Sequence, residues 1–388
     1  MTHPAQWPTP LGPTYPVGLA APRRRWVTVV TVIGFALAGL VILGVIALTT
    51  GPLPFVLGLT LALIPVPLLV AGVLVLDRYE PEPFRLLVFA FFWGATAAAL
   101  VALILNTIGA LLLRQLTDGA TADLVSASIG APIVEECAKG AVILVLLRVR
   151  RHELDGPIDG IVYAALVALG FAMTENVLYY SGAAVQNGVP GLIGTFIVRG
   201  VFSPFLHPMF TAATGIGLGY AAIARSRRAR VLAPIAGLAI AMLLHGTWNT
   251  AAEEHHLVVV YLFIMLPVFI GIVVVALVER RRIKRLLQRV LPMYAGSGWL
   301  LPDDLQMLES LSLRRRARRF LRARGGRPAA KAMRDYQAAA TELALLHDRA
   351  ERGQLDPATF TARQQELLRS LQAARNQFTP YLVPQLAR

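Results

Sequence analysis

Long apolar stretches alternate with short charged clusters along most of this chain. Eight stretches stand out, at about 26–49, 53–76, 84–113, 127–147, 157–181, 203–224, 231–252 and 257–278. Each approaches or exceeds the ~20 residues that a helix needs to cross the ~30 Å hydrocarbon core of a bilayer. The third is long enough to tilt or to extend beyond the membrane. The segment at about 190–202 carries Arg199 ahead of Ser203-Pro204, and is expected at the interface or as a re-entrant element. The pattern predicts an all-α polytopic membrane protein with about eight transmembrane helices.

Composition agrees with that picture and adds an orientation. Hydrophobic residues make up 56% of the 388 and charged residues only 15%, against about a quarter charged in soluble domains. The net charge of +14 is gathered between and after the apolar stretches. Basic clusters mark cytoplasmic loops: Arg23–Arg25, Arg78 with Arg85, Arg148 to Arg151, Arg225 to Arg230, and Arg280 to Arg282. The intervening loops are poor in Lys and Arg, so the alternation holds at all eight crossings. Both termini are expected in the cytoplasm and the chain in the plasma membrane. The first stretch lacks a clear cleavage site and reads as a retained anchor. The single cysteine, Cys137, excludes an internal disulfide.

Three regions follow. Residues 1–25 are Pro-rich and expected to be a disordered cytoplasmic N-terminus. Residues 26–278 form the transmembrane domain, and 279–388 a basic, soluble tail. Helices are expected there near 303–323, 329–352 and 357–376. Asp356-Pro357 is a helix start, Gly325-Gly326 and Gly353 are stops, and the last two helices could pair as a hairpin. The run Leu313 to Phe320 holds five arginines just beyond a cytoplasmic span end. That placement suits anionic lipid better than nucleic acid.

Ionisable residues within spans are expensive, and mark function more often than packing. The fourth stretch carries Glu135, Glu136 and Lys139; the fifth Glu175 and Asn176; the sixth His207; the seventh His245 and Asn249. Measured from the outer end of each helix at 1.5 Å per residue, Glu135 lies ~12 Å deep, Glu175 ~9 Å, His207 ~6 Å and His245 ~10 Å. Four antiparallel helices thus put acids, imidazoles and amides in one layer, in the outer half of the bilayer. Glu135 and Lys139 are four apart, the spacing of an ion pair; His245 and Asn249, and Phe171 and Glu175, share that spacing. The bland reading of Glu135-Glu136 is an ion pair with Lys139 that holds helices together. Two adjacent glutamates in an apolar span are hard to explain by packing alone.

Such a set suits hydrolysis. A buried carboxylate can act as general base, and Asn249 with His245 could stabilise an oxyanion. Two imidazoles and a carboxylate are also a common metal-binding set with a position open to water. Leu154-Asp155-Gly156 resembles part of a zinc-protease signature, but its H-E-x-x-H partner is absent. Glu253 to His256 read as a solvated outer loop.

These motifs resemble the PrsW-type family of intramembrane proteases. The family pattern E-E-x-x-K corresponds to Glu135 through Lys139, and F-x-x-x-E-N to Phe171 through Asn176. His207 and His245 match separate histidines in later spans, and the segment Asp77 to Pro83 looks like one common in actinobacterial members. The likeness covers roughly residues 70–255. The related CAAX prenyl endopeptidases carry His where this chain has Glu175, which favours the PrsW branch. The resemblance implies an endopeptidase that cuts membrane-tethered proteins, an anti-sigma factor among the substrates of bacterial relatives. Two versions of the site follow: a divalent metal, zinc being the expected ion, bound by Glu175, His207 and His245, or water activated by Glu135 or Glu136 alone. Alternatives of other classes are an ion-coupled transporter, against which no inverted repeat of the polar motifs is found, and a catalytically silent scaffold.

Overall fold

A computed structural model describes residues 25–76, 82–149 and 156–382. The N-terminal stretch 1–24, most of the Asp77 to Pro83 segment, Arg150-Arg151 and Leu154-Asp155 lie outside the described residues. Among those described there is no strand.

Helix α1 (Arg25–Thr50) is followed by α2 (Pro52–Leu63) and α3 (Val66–Leu76). The second apolar stretch is therefore broken, because Pro65 has no N–H to continue the ladder. Helix α4 (Phe84–Phe92) passes through a π-helical segment, Trp93–Ala98, into α5 (Ala99–Leu116). Helix α6 (Gly119–Val125) leads through a second π segment, Ser126–Gly130, into α7 (Ala131–Val149). Asp118 caps α6 by accepting from the Thr121 N–H at 2.9 Å.

Helix α8 (Pro157–Phe196) is the centre of the bundle, with every residue from Pro157 to Ala172 buried. It is two helices in one run. Gly188 takes φ 62°, a conformation that glycine reaches without penalty, and Pro190 begins the second part. The chain doubles back there, so that the Tyr180 and Phe196 rings meet edge to face at 5.8 Å. A third π segment, Ile197–Phe202, precedes α9 (Leu206–Ile223), and α10 (Arg227–Glu253) follows. Helix α11 (Leu257–Val260) runs through the π segment Tyr261–Met265 into α12 (Leu266–Gly296).

In lipid, helices associate by close packing of small residues rather than by expelling water. Helices α8 and α9 follow that rule closely: a Cβ on Gly160 would lie 1.9 Å from the Gly215 carbonyl oxygen, and one on Gly215 2.1 Å from that of Gly160. Helices α9 and α10 repeat it at Gly217 and Gly237. These contacts fix how deep α7 to α10 sit against one another, and hence where their polar residues meet.

Six helical stretches among the described residues are long and apolar enough to cross a membrane. One of them, Pro157–Ile223, has 67 residues and joins α8 to α9; at ~1.5 Å per residue it is far too long for a single crossing. Helix α7 is not among the six, since Glu135, Glu136, Lys139 and Arg148 all lie in it. The protein is a polytopic all-α membrane protein.

Contacts divide the chain into two compact units, residues 33–290 with 351–354, and residues 291–350 and 355 onward with the start of α1. In the second, α13 (Pro302–Glu309), α14 (Leu311–Glu351) and α15 (Pro357–Phe378) surround buried Leu321, Tyr336, Leu343 and Leu371. Gly326, at φ 67°, breaks α14 where a stop was expected. The later part of α14 pairs antiparallel with α15: Glu342 meets Arg363 at 2.5 Å, and the His347 and Phe360 rings lie 5.1 Å apart. Arg314, inside the basic run, is buried. It donates to the Leu308 carbonyl at 2.7 Å and to Thr341 Oγ1 at 2.8 Å, so its charge is used inside the tail.

Candidate active site

Lys139 is the hub of the polar residues within the bundle. It is fully buried, and its Nζ donates to Glu136 Oε1 at 2.9 Å and Glu135 Oε2 at 3.2 Å. The same ammonium lies 3.2 Å from His207 Nδ1 and 3.9 Å from the centre of the Phe171 ring. One turn of α7 thereby presents two carboxylates and an ammonium to α8 and α9 together.

Glu136 is enclosed by partners. Besides Lys139, its Oε1 lies 3.1 Å from His245 Nδ1, and its Oε2 accepts from Thr211 Oγ1 at 2.8 Å. The His245 ring stacks on Phe210, with centroids 5.1 Å apart and planes 19° from parallel. Held by that stack, His245 turns its other nitrogen, Nε2, toward Glu135 Oε2 at 3.8 Å. Glu135 Oε1 accepts from Asn106 Nδ2 at 3.3 Å.

His207 has a neighbour at each nitrogen: Lys139 at Nδ1, and Glu175 Oε2 at 2.9 Å from Nε2. Glu175 is in turn paired with Arg199 Nη2, and Arg199 Nε donates to Asn176 Oδ1 at 2.7 Å. The reversal at Gly188 makes this contact, since it carries Arg199 back alongside the helix that bears both partners. The Arg199 guanidinium lies 4.0 Å from the Tyr179 ring centre. Glu135 and Glu175 both line one cavity of about 340 Å³, walled by α1, α5, α7, α8 and the Ser126–Gly130 segment.

Glu135, His207 and His245 each offer a ligand atom, and these atoms lie within 4.8 Å of one another. Residues 82–272, which contain all of these groups, match the family described as PrsW family intramembrane metalloprotease. A curated relative, Protease PrsW of Geobacillus kaustophilus (strain HTA426), is 31% identical over 181 residues, 46% of this chain and 72% of the relative. This chain belongs to the PrsW family. Protease PrsW of Bacillus subtilis (strain 168) is 28% identical over 173 residues, covering 45% of this chain and 72% of that protein. Protease PrsW of Clostridioides difficile (strain 630) is 28% identical over 193 residues, covering 49% and 76%. No solved structure matches. As a PrsW-family member the chain is an intramembrane protease.

The family description includes a metal, and the donor chemistry here fits one. One carboxylate and two imidazoles converge, and an ion bound by them would have to displace the Lys139 ammonium from Glu135 Oε2 and His207 Nδ1 or release His207 Nε2 from Glu175. Glu136 behind His245 is the carboxylate partner that commonly orients a ligating imidazole. The trio differs from the set expected from sequence, which had Glu175 in place of Glu135. Arg199 and His207 hold the Glu175 carboxylate to one side, while Glu135 faces His245. Asn249 also departs from expectation. Its Nδ2 donates to the Ala127 carbonyl at 2.9 Å, tying α10 to the π segment before α7 rather than facing the acids.

Three participants were not singled out as site residues in the sequence. Arg199 was visible only as a charge in an ambiguous segment. Asn106 sits in the third stretch as an isolated amide. Thr211 lies four residues after His207, one helical turn on. A charge or amide within an apolar span was the available signal for the first two.

Proposed function

We propose that this protease hydrolyses peptide bonds of membrane-tethered proteins at a site built from Glu135, Glu136, Lys139, Glu175, His207 and His245. The observation that carries the reading is the convergence of Glu135, His207 and His245 within 4.8 Å, from three different helices.

Glu136 has partners at both oxygens and is best suited to fixing His245 and Lys139. Glu135 lines the cavity and, among the described residues, accepts from Asn106 and Lys139. In a metal-free site it is therefore the carboxylate we assign to receiving a proton from the attacking water. Lys139, between the two glutamates, holds negative charge in place within a dry interior. A divalent ion bound by Glu135, His207 and His245, zinc on the strength of that donor set, would polarise the water and the scissile carbonyl. Glu175 is then the second carboxylate on the cavity wall, available for proton transfer in the metal-bound state.

We further propose eight crossings with both termini cytoplasmic, which sets the cluster in the outer half of the plasma membrane. There it would reach an anti-sigma factor or another single-span protein near its external face. The exposed arginines of α14, Arg315, Arg316, Arg319 and Arg322, are suited to anionic lipid headgroups.

The test compares membrane proteomes of cells carrying the wild-type chain or Glu135→Gln. Single-span proteins that accumulate uncut only in the variant support the reading. An unchanged membrane proteome, with the variant present at normal level, favours a silent scaffold instead.

A further inference from the structure

A transmembrane substrate cannot be cut while it remains helical. Each carbonyl is hydrogen-bonded within its own segment, and unwinding exposes N–H and C=O groups that find no water in the bilayer core. Whatever cleft accepts the unwound segment must offer those groups other partners.

The cavity that Glu135 and Glu175 line offers two. Asn106 and Ser126 are both in its wall; their Oδ1 and Oγ are buried there, and neither atom has a hydrogen-bond partner among the described residues. Buried polar atoms are paired in the great majority of cases, and leaving one unpaired is costly. Asn106 is not free to turn. Its Nδ2 is committed to Glu135 Oε1, an acceptor, which leaves Oδ1 as the atom that must look elsewhere. It is an acceptor held one side chain away from a catalytic carboxylate. Ser126 lies on the π segment whose backbone Asn249 pins through Ala127, so its hydroxyl too has a fixed origin. Ile42, Ile46, Ala99, Ala102 and Leu178 line the cavity as well and supply apolar contacts.

The rival cleft is a groove of about 650 Å³ between α7 and α10, lined by Pro132, Ile133, Met242 and Leu243. It also contains an unpartnered hydroxyl, that of Ser128. None of the converging acids or imidazoles lies in its wall.

We propose that the cavity between α1, α5, α7 and α8 binds an extended substrate segment, with Asn106 Oδ1 accepting a main-chain N–H and Ser126 Oγ donating to a main-chain carbonyl. The ligand class is an unwound peptide backbone, recognised with little regard to side chain. This rests on the protease reading above and adds the place and manner of substrate binding.

The experiment uses the full chain in proteoliposomes and a quenched single-span peptide that the wild-type chain cleaves. Backbone amides around the cut are replaced one at a time by esters, each of which deletes one N–H. For the wild type, one ester position should lower kcat/KM about five- to tenfold, the size of one hydrogen bond. In Asn106→Leu that same ester should change kcat/KM less than about twofold, because the acceptor is already gone. Ser126→Ala should raise KM about fivefold on the all-amide peptide with kcat nearly unchanged, and it carries the test alone if Asn106→Leu does not fold. Equal ester losses in wild type and Asn106→Leu, or an unaltered KM in Ser126→Ala, overturn the proposal. Glu135→Gln on the same peptide separates the two claims. If it is inactive while the ester coupling is absent, only the binding cleft is wrong; if it cleaves normally, the protease site itself is misplaced.

Discussion

Glu136 Oε1 and His245 Nδ1 lie 3.1 Å apart, joining α7 to α10 across the buried centre of the bundle. The contact fixes which imidazole nitrogen carries the proton. With Nδ1–H directed at Glu136, Nε2 keeps its lone pair for the space in front of Glu135. Glu136→Gln preserves the shape but removes the charge that holds this tautomer. Activity per folded molecule should fall about 10–100-fold, the usual effect of losing such a partner, and the thermal unfolding temperature should also fall, because fully buried Lys139 loses one of its two carboxylates. Activity within about twofold of wild type would remove Glu136 from the site.

Metal content distinguishes the trio in the structure from the set read in the sequence. Purified wild-type chain should carry about one divalent ion per molecule and lose activity on chelation. Glu135→Gln and His245→Ala should lose the ion, and Glu175→Gln should keep it, as judged by elemental analysis. An ion retained in Glu135→Gln but lost in Glu175→Gln would restore the sequence-based set.

Arg199 and Glu175 form a pair in which each is largely shielded from solvent, so removing Arg199 leaves the Glu175 carboxylate with His207 as its remaining partner. Arg199→Met should destabilise the folded chain by about 2 kcal/mol, less than a fully buried pair because both groups retain some exposure. The double variant Arg199→Met/Glu175→Gln should recover at least half of that loss. Thermal unfolding in detergent reads both. A double variant less stable than Arg199→Met would mean that the pair is not the source of the effect.

Close packing at Gly160 gives a sharp steric test. A side chain there would have to displace the Gly215 carbonyl. Gly160→Leu should abolish the monodisperse folded species, whereas Gly109→Ala, with nothing within 4 Å of its added Cβ, should leave it intact. A well-folded Gly160→Leu chain would contradict the described crossing of α8 and α9.

Much of this was legible in the sequence, for definite reasons. Apolar length announces a membrane helix, and a carboxylate such as Glu135 in an apolar run is conspicuous whatever surrounds it. The spacing of Glu135 and Lys139 also predicted their pairing. Less legible was which side chains a reversal within the bundle brings together. Gly188 and Pro190 were present to be read, but only the reversal shows that Arg199 returns to Glu175 and so takes that acid out of the trio. Asn249 shared a face with His245 by spacing, yet its amide is used by the Ala127 carbonyl, a partner that no periodicity reveals. Arg314 was indistinguishable from its neighbours in a basic run, although it is buried on Thr341.

The central claim is that Glu135 and His245 act as parts of one site, and a double-mutant cycle on peptide cleavage tests it most directly. Glu135→Gln and His245→Ala should each reduce kcat/KM by at least about 100-fold, and the double variant should be no more than about threefold worse than the weaker single, as for residues that work as a unit. Losses that multiply, or either single variant retaining wild-type cleavage, would contradict the account.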